Sequence, residues 1–369
     1  MILIKQPLFI ISLLFCLTIS GCASDDNYTP IPEPQEIEPE EISPVIFDIA
    51  EIPYQSLSEY NFFDGDLKDL SPVYGVLPYD LNASLFSDYA KKKRFVWMPD
   101  DVSAAYVNDY SPLNFPIGTV LIKNFYYNNV QPANDTRIIE TRLMINKADG
   151  WIFANYIWND DQSEAIFSLE GGLTDIEWIE NGVPKSTTYK IPPESECFTC
   201  HKIAAIPMPI GPKPQNLNKD HAFSDGVFNQ LEKLKEFGYL NGSIPTDINT
   251  VIDWQDDSQS IDLRMRSYMD VNCAHCHSED AHCHYRPVRF AFNENDDEIN
   301  LGACVEPEEQ FDGLTYIVSP GNINRSMLHF RLSTTLAQRR MPLLGRTLVH
   351  DEAVEMVEEW INSLTIICN

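Results

Sequence analysis

Two short runs constrain this chain more than anything else in it: Glu-Cys-Phe-Thr-Cys-His at residues 196–201 and Asn-Cys-Ala-His-Cys-His at residues 272–277. Each holds a pair of cysteines spaced by two residues and followed at once by histidine: Cys197, Cys200 and His201, then Cys273, Cys276 and His277. With 8 histidines among 369 residues, both following positions would be His by chance about once in 2,000 trials. A four-cysteine zinc site is disfavoured by spacing, since Cys200 and Cys273 stand 73 positions apart, against roughly 15–20 residues in compact sites. A redox dithiol needs only the cysteine pair and leaves the histidine unexplained.

The order Cys-x-x-Cys-His suits the covalent attachment of haem c. Two sulfurs about one helical turn apart bond the two vinyl groups, and the next residue brings its imidazole to the iron. The expected cofactors are two haems c, with His201 and His277 as proximal iron ligands. The second axial position of each iron decides between electron transfer and chemistry on a substrate.

The N-terminus sets the compartment. Lys5, an apolar run from Leu8 to Ile19 and the small residues before Cys22 read as an export signal over 1–21, shorter in its apolar part than the roughly 20 residues of a membrane span. Ile-Ser-Gly-Cys is the pattern of a bacterial lipobox, which makes Cys22 the lipidated first residue of an exported lipoprotein of the outer membrane, on its periplasmic face or the cell surface. Residues 22–46 mix prolines with acids and read as a disordered tether. A net charge of −29 argues against nucleic acid as a partner and permits a basic redox protein.

Residues 47–215 alternate short apolar and aromatic runs with turns such as Ala148-Asp149-Gly150 and Asn181-Gly182, the pattern of an antiparallel sheet. The first motif stands at the C-terminal edge of that region. The basic run Lys91–Arg94 reads as a solvated turn. Residues 216–260 read as a linker with one helix ending at Gly238. From 261 to 369 the helical periodicity returns: Met265, Tyr268 and Met269 precede the second motif, and Val354, Val357, Trp360, Ile361 and Leu364 line a closing helix. The expected fold is α+β in two domains, a sheet domain followed by an all-α one.

The helix before the second motif, Ser319-Pro320-Gly321, Met341-Pro342 and the closing helix together resemble a class I cytochrome c domain. That resemblance implies Met341 as distal ligand of the second haem, with Met327 and Met356 as competitors and Met356 a core residue by its place beside the apolar face. Phe115–Lys123, Gly150–Trp158 and the first motif resemble c′-β type cytochromes and their hydroxylamine-oxidising relatives, whose haem is cross-linked to a lysine at the position of Lys123. The whole chain is similar to di-haem c-type cytochrome lipoproteins. These resemblances imply electron transfer at the cell envelope. The alternatives are a haem enzyme whose first haem is open to peroxide, nitric oxide or a small nitrogen substrate, and a haem-bearing subunit of an envelope complex. For the first haem only Met208 lies nearby in sequence, and it would have to wrap round the haem edge. Of the remaining cysteines, Cys283 and Cys304 could close a loop, with Cys368 then free or paired instead.

Overall fold

The computed structural model describes residues 41–310 and 313–368; the expected export signal, lipidated Cys22 and most of the tether lie outside them. Eight antiparallel strands build the main sheet: β1 Leu77–Tyr79, β2 Lys91–Trp97, β3 Val120–Val130, β4 Asp135–Lys147, β5 Gly150–Trp158, β6 Ala165–Ser168, β7 Gly172–Glu180 and β8 Val183–Ile191. β1 to β6 follow one another as a meander. β2 runs beside the first part of β3, and the β7–β8 hairpin joins the same edge further along, where Trp178 pairs with Val130. Asn181 and Gly182 both have positive φ at the tip of that hairpin, which the right-handed twist of the flanking strands favours.

Alternation along β3 divides the sheet into two faces. Val120 and Ile122 enter a core with Leu57, Tyr60, Phe62 and Phe63 from the segment before the sheet. Leu121, Lys123 and Phe125 point the other way, into a cavity. The same alternation corrects the reading of Lys91–Arg94. This run opens β2 instead of forming a solvated turn, with Lys91 and Lys93 exposed and Arg94 buried on an ion pair to Asp80 at 2.7 Å.

Among the described residues five helices of seven or more residues complete the fold: α1 Glu194–Cys200, α2 Gln230–Glu236, α3 Ile261–Met269, α4 Met327–Ser333 and α5 Asp351–Ser363. α2 ends at Phe237, followed by Gly238 at φ 88°, the expected left-handed stop. Ser260 caps α3 by accepting from the Leu263 amide at 3.3 Å. Met265, Tyr268 and Met269 of α3 share a core with Met356, Val357, Trp360 and Ile361 of α5, so Met356 is a packing residue as expected. The fold is thus α+β. None of the helices among the described residues is long and apolar enough to cross a membrane.

The sheet and the helices are joined by side chains from the loop before β2. Phe86 stacks on His350 at 4.0 Å between centroids, and Trp254 and Tyr268 close around the same imidazole. Asp88 accepts from the amides of Thr347 and Leu348 at 2.7 and 2.8 Å. The cysteine pairing differs from the 21-residue loop considered above: Cys304 is bonded to Cys368, their Cα atoms 5.1 Å apart. The segment after α5 returns to Cys304, whereas Cys283 is buried beside the second motif, its amide donating to the Cys276 carbonyl at 2.8 Å.

Candidate functional site

The first motif follows β8 directly. Pro192 and Pro193 end the strand, and α1 then places Cys197 and Cys200 one turn apart with His201 as the residue that ends the helix. The His201 Nδ1 lies 3.1 Å from the Met208 carbonyl. A proton on Nδ1 donated to that oxygen leaves the Nε2 lone pair available as a ligand. Burial, with the charge of Lys123 adding to it, pushes the imidazole down to about 3, so the ring is neutral. Met208 thus meets His201 through its backbone carbonyl.

The second motif continues α3 through a wider turn, Asp270–Ala274. Both Cys276 and His277 donate their amides to the Cys273 carbonyl at 3.0 Å, which folds the five residues into one compact unit. His277 packs edge-on against Phe290, 5.2 Å between centroids. Its Nδ1 is buried without a partner among the described residues, leaving Nε2 as the nitrogen toward the adjoining cavity. Burial also drives this imidazole down, to about 4.

That cavity, about 1130 Å³ including its mouth, is lined by Cys273, Cys276, His277, Met327 and Met341. Met356 is not among its lining residues. The loop carrying Met341 is held by one buried cation that the sequence reading passed over. Arg346, 4% exposed, donates to the carbonyls of Met341, Arg331, Thr334 and Leu348 at 2.8–3.1 Å. The Met341 amide itself donates to the Arg331 carbonyl at 2.9 Å. Nothing in the spacing of Arg346 announces this, because its partners are all backbone oxygens.

A second cavity, about 1650 Å³ including its mouth, lies on the sheet side and takes in Cys197, Cys200, His201 and Lys123. Met144 and His275 also line it. Register places Arg94, Lys123 and Arg142 directly opposite one another on β2, β3 and β4, and Lys92 opposite Phe125. Arg142 forms a two-pronged pair with the fully buried Glu140, at 2.8 and 2.5 Å, and Tyr189 donates to the same carboxylate at 2.7 Å. Lys123, Lys92 and Arg142 all lie over the Phe125 ring, at 4.8, 5.9 and 4.3 Å from its centroid.

The two motifs meet. Ligand atoms of Cys200, His275 and Cys276 lie within 4.8 Å of one another, and Cys200 borders both cavities. The two thiols face each other, which holds Cys200 well down and pushes Cys276 up. Sequence separation therefore gave no protection against a shared site; what does argue against a four-cysteine site is that Cys197 and Cys273 stay outside the cluster. His275, an intervening residue of the second motif, had no assigned role in the sequence. Compared with protein families, characterised proteins and solved structures, the chain matches none of them.

Proposed function

We propose that the chain is a di-haem c-type cytochrome that carries electrons at the bacterial cell envelope, tethered through a lipid on Cys22. The observation that carries this reading is the contact between the motifs, with Cys200 and Cys276 at most 4.8 Å apart. Cys200 and Cys276 would each hold a haem through a thioether, which would bring the two attachment points close together. Haem c supplies one-electron redox chemistry at its iron.

The residues present fit that group. Each cysteine pair is one turn apart beside a cavity, and each following histidine is neutral with Nε2 free of protein partners. Cys197, Cys200 and His201 would hold one haem and Cys273, Cys276 and His277 the other. Met341, on its pinned loop beside that cavity, would be the residue to close the second iron, a pairing that would saturate it and exclude substrate. Residues 261–369 are read as a class I cytochrome c domain and the sheet region as a c′-β-like haem domain. Acidity of the chain suits a basic redox partner.

A second reading is favoured by the sheet cavity. Lys123, Phe125 and Arg142, which look into it, are not ordinary iron ligands when charged or apolar, so unless Met144 or His275 of the same lining closes the sixth position this haem would be open to peroxide, nitric oxide or a small nitrogen substrate. A pyridine haemochrome assay tests the cofactors: two haems c per chain are expected, and fewer would end the di-haem reading. Carbon monoxide titration of the reduced protein separates the two functions. Binding at neither iron supports the electron carrier, and binding at one per chain supports the enzyme.

A further inference from the structure

The sheet cavity carries more positive charge than its own acids can answer. Six cationic side chains line it, against Asp88 and Glu196, in a chain whose net charge is −29. Most of these charges are accounted for. Arg94 pairs with Asp80, Arg142 with Glu140 and Lys190 with Glu196, while Arg346 is spent on carbonyls. Two remain. Lys123 has no hydrogen-bonding partner among the described residues, only the Phe125 ring beneath its ammonium. Among the described residues, the buried Nε of Arg340 has no partner, and the side chain's hydrogen bond is a long one, 3.5 Å, from Nη1 to the Thr335 carbonyl. A neutral donor joins them: Ser87, 5% exposed, has a buried hydroxyl that meets nothing in the protein.

The backbone register makes this costly. Arg94, Lys123 and Arg142 are direct cross-strand neighbours, and like charges placed directly opposite oppose sheet formation. Burial and the charges of Arg94, Lys92 and Arg142 accordingly push the Lys123 ammonium well down from its ordinary range. A neutral side chain at 123 would serve the sheet better, and an anion in the cavity would remove the conflict.

We propose that the sheet cavity is an oxyanion site, in which Lys123 and Arg340 bind negatively charged oxygens with Ser87 as a neutral donor. Charge-assisted bonds of this kind are the strong ones, and the enclosed setting strengthens them further. The oxygens belong either to a small inorganic oxyanion or to the carboxylates of the haem assigned to this cavity; the second source rests on the di-haem reading.

The test uses the full-length protein as purified, with haem content measured first. Sulfate serves as the probe in calorimetry, beside spectroelectrochemical titration of both haems, for the unchanged protein, Lys123→Gln and Lys123→Arg. One sulfate per chain, weakened about tenfold or more in Lys123→Gln and kept in Lys123→Arg, establishes a free oxyanion site. Sulfate should then also raise the thermal midpoint of the unchanged protein and not that of Lys123→Gln. No sulfate binding, with the potential of one haem lowered in Lys123→Gln and restored in Lys123→Arg, assigns the charge to the haem carboxylates. No sulfate binding and unchanged potentials, in a protein carrying two haems, overturn the proposal. A haem content below two overturns the cytochrome reading, and sulfate binding still decides the oxyanion site on its own.

Discussion

In the helical region the cavity beside His277 is bounded by thioether side chains, Met327 and Met341, on backbone pinned by Arg346. In the sheet region the cavity beside His201 is bounded by a row of cations across β2, β3 and β4. The same five-residue motif thus opens onto two different chemistries. Where a loop delivers a soft, neutral sulfur, the sixth position of an iron would be closed. Where a pleated strand delivers every second side chain, the lining is set by register, and here it delivers charge. If each motif attaches a haem as proposed, its surroundings would specify what that group can do.

The most complete way to break the comparison is to remove one motif at a time. Cys197→Ser with Cys200→Ser, and separately Cys273→Ser with Cys276→Ser, should each halve the covalently bound haem. The spectra of the two variants should sum to that of the unchanged protein, and a variant that keeps both haems would refute the assignment of one motif to each cavity.

The disulfide lies in the helical region alone. Cys304→Ser opens a 64-residue separation and should cost about 4 kcal/mol by the chain-entropy estimate. Urea unfolding followed at each haem shows whether both cavities are lost together or the helical one first.

Next comes Arg346→Leu. Four carbonyls lose a charged donor, and a cost of about 3 kcal/mol is expected. Freed from its pin, the Met341 loop should also lose the weak near-infrared absorption of ferric iron bonded to methionine sulfur. Met341→Ala should abolish that band with little loss of stability, since its side chain is not fully buried. Persistence of the band in Met341→Ala would transfer the ligand to Met327.

At neutral pH the smallest effect concerns the junction between the regions, and it grows only in acid. His350, between Phe86 and Tyr268, is pushed down to about 3 by burial first and then by the charges of Lys92, Arg346 and Lys185. Its folded value lies below the unfolded one near 6.5, so the fold favours the neutral ring. The stabilisation is complete above about pH 6.5 and falls, by up to about 1.4 kcal/mol per pH unit, as pH drops toward 3. His350→Phe should flatten this part of the stability curve measured by denaturant unfolding; an unchanged slope would mean that the ring is not held neutral.

Much of the scaffold was legible in the residues. Short apolar and aromatic runs punctuated by turns marked strands, Gly238 marked a helix end, and Met356 stood beside an apolar helical face and proved to be core. Lys91–Arg94 misled because four successive cations suggest water, while a pleat sends only alternate ones there. The partner of Cys304 stayed open between Cys283 and Cys368 in the sequence, and the path of the chain after α5 decides it for Cys368.

By itself the sequence determined the two Cys-x-x-Cys-His motifs, the order sheet then helices, and the apolar faces that drive burial. These depend on spacing within a few residues, where covalent geometry leaves little choice. Only the tertiary structure decided that Cys200 meets Cys276, that Arg346 pins the Met341 loop, and that Arg94, Lys123 and Arg142 share one row. Those contacts join residues far apart in the chain, through backbone oxygens and strand register that carry no residue-type signature, so they exist only once the packing has chosen which segments lie side by side.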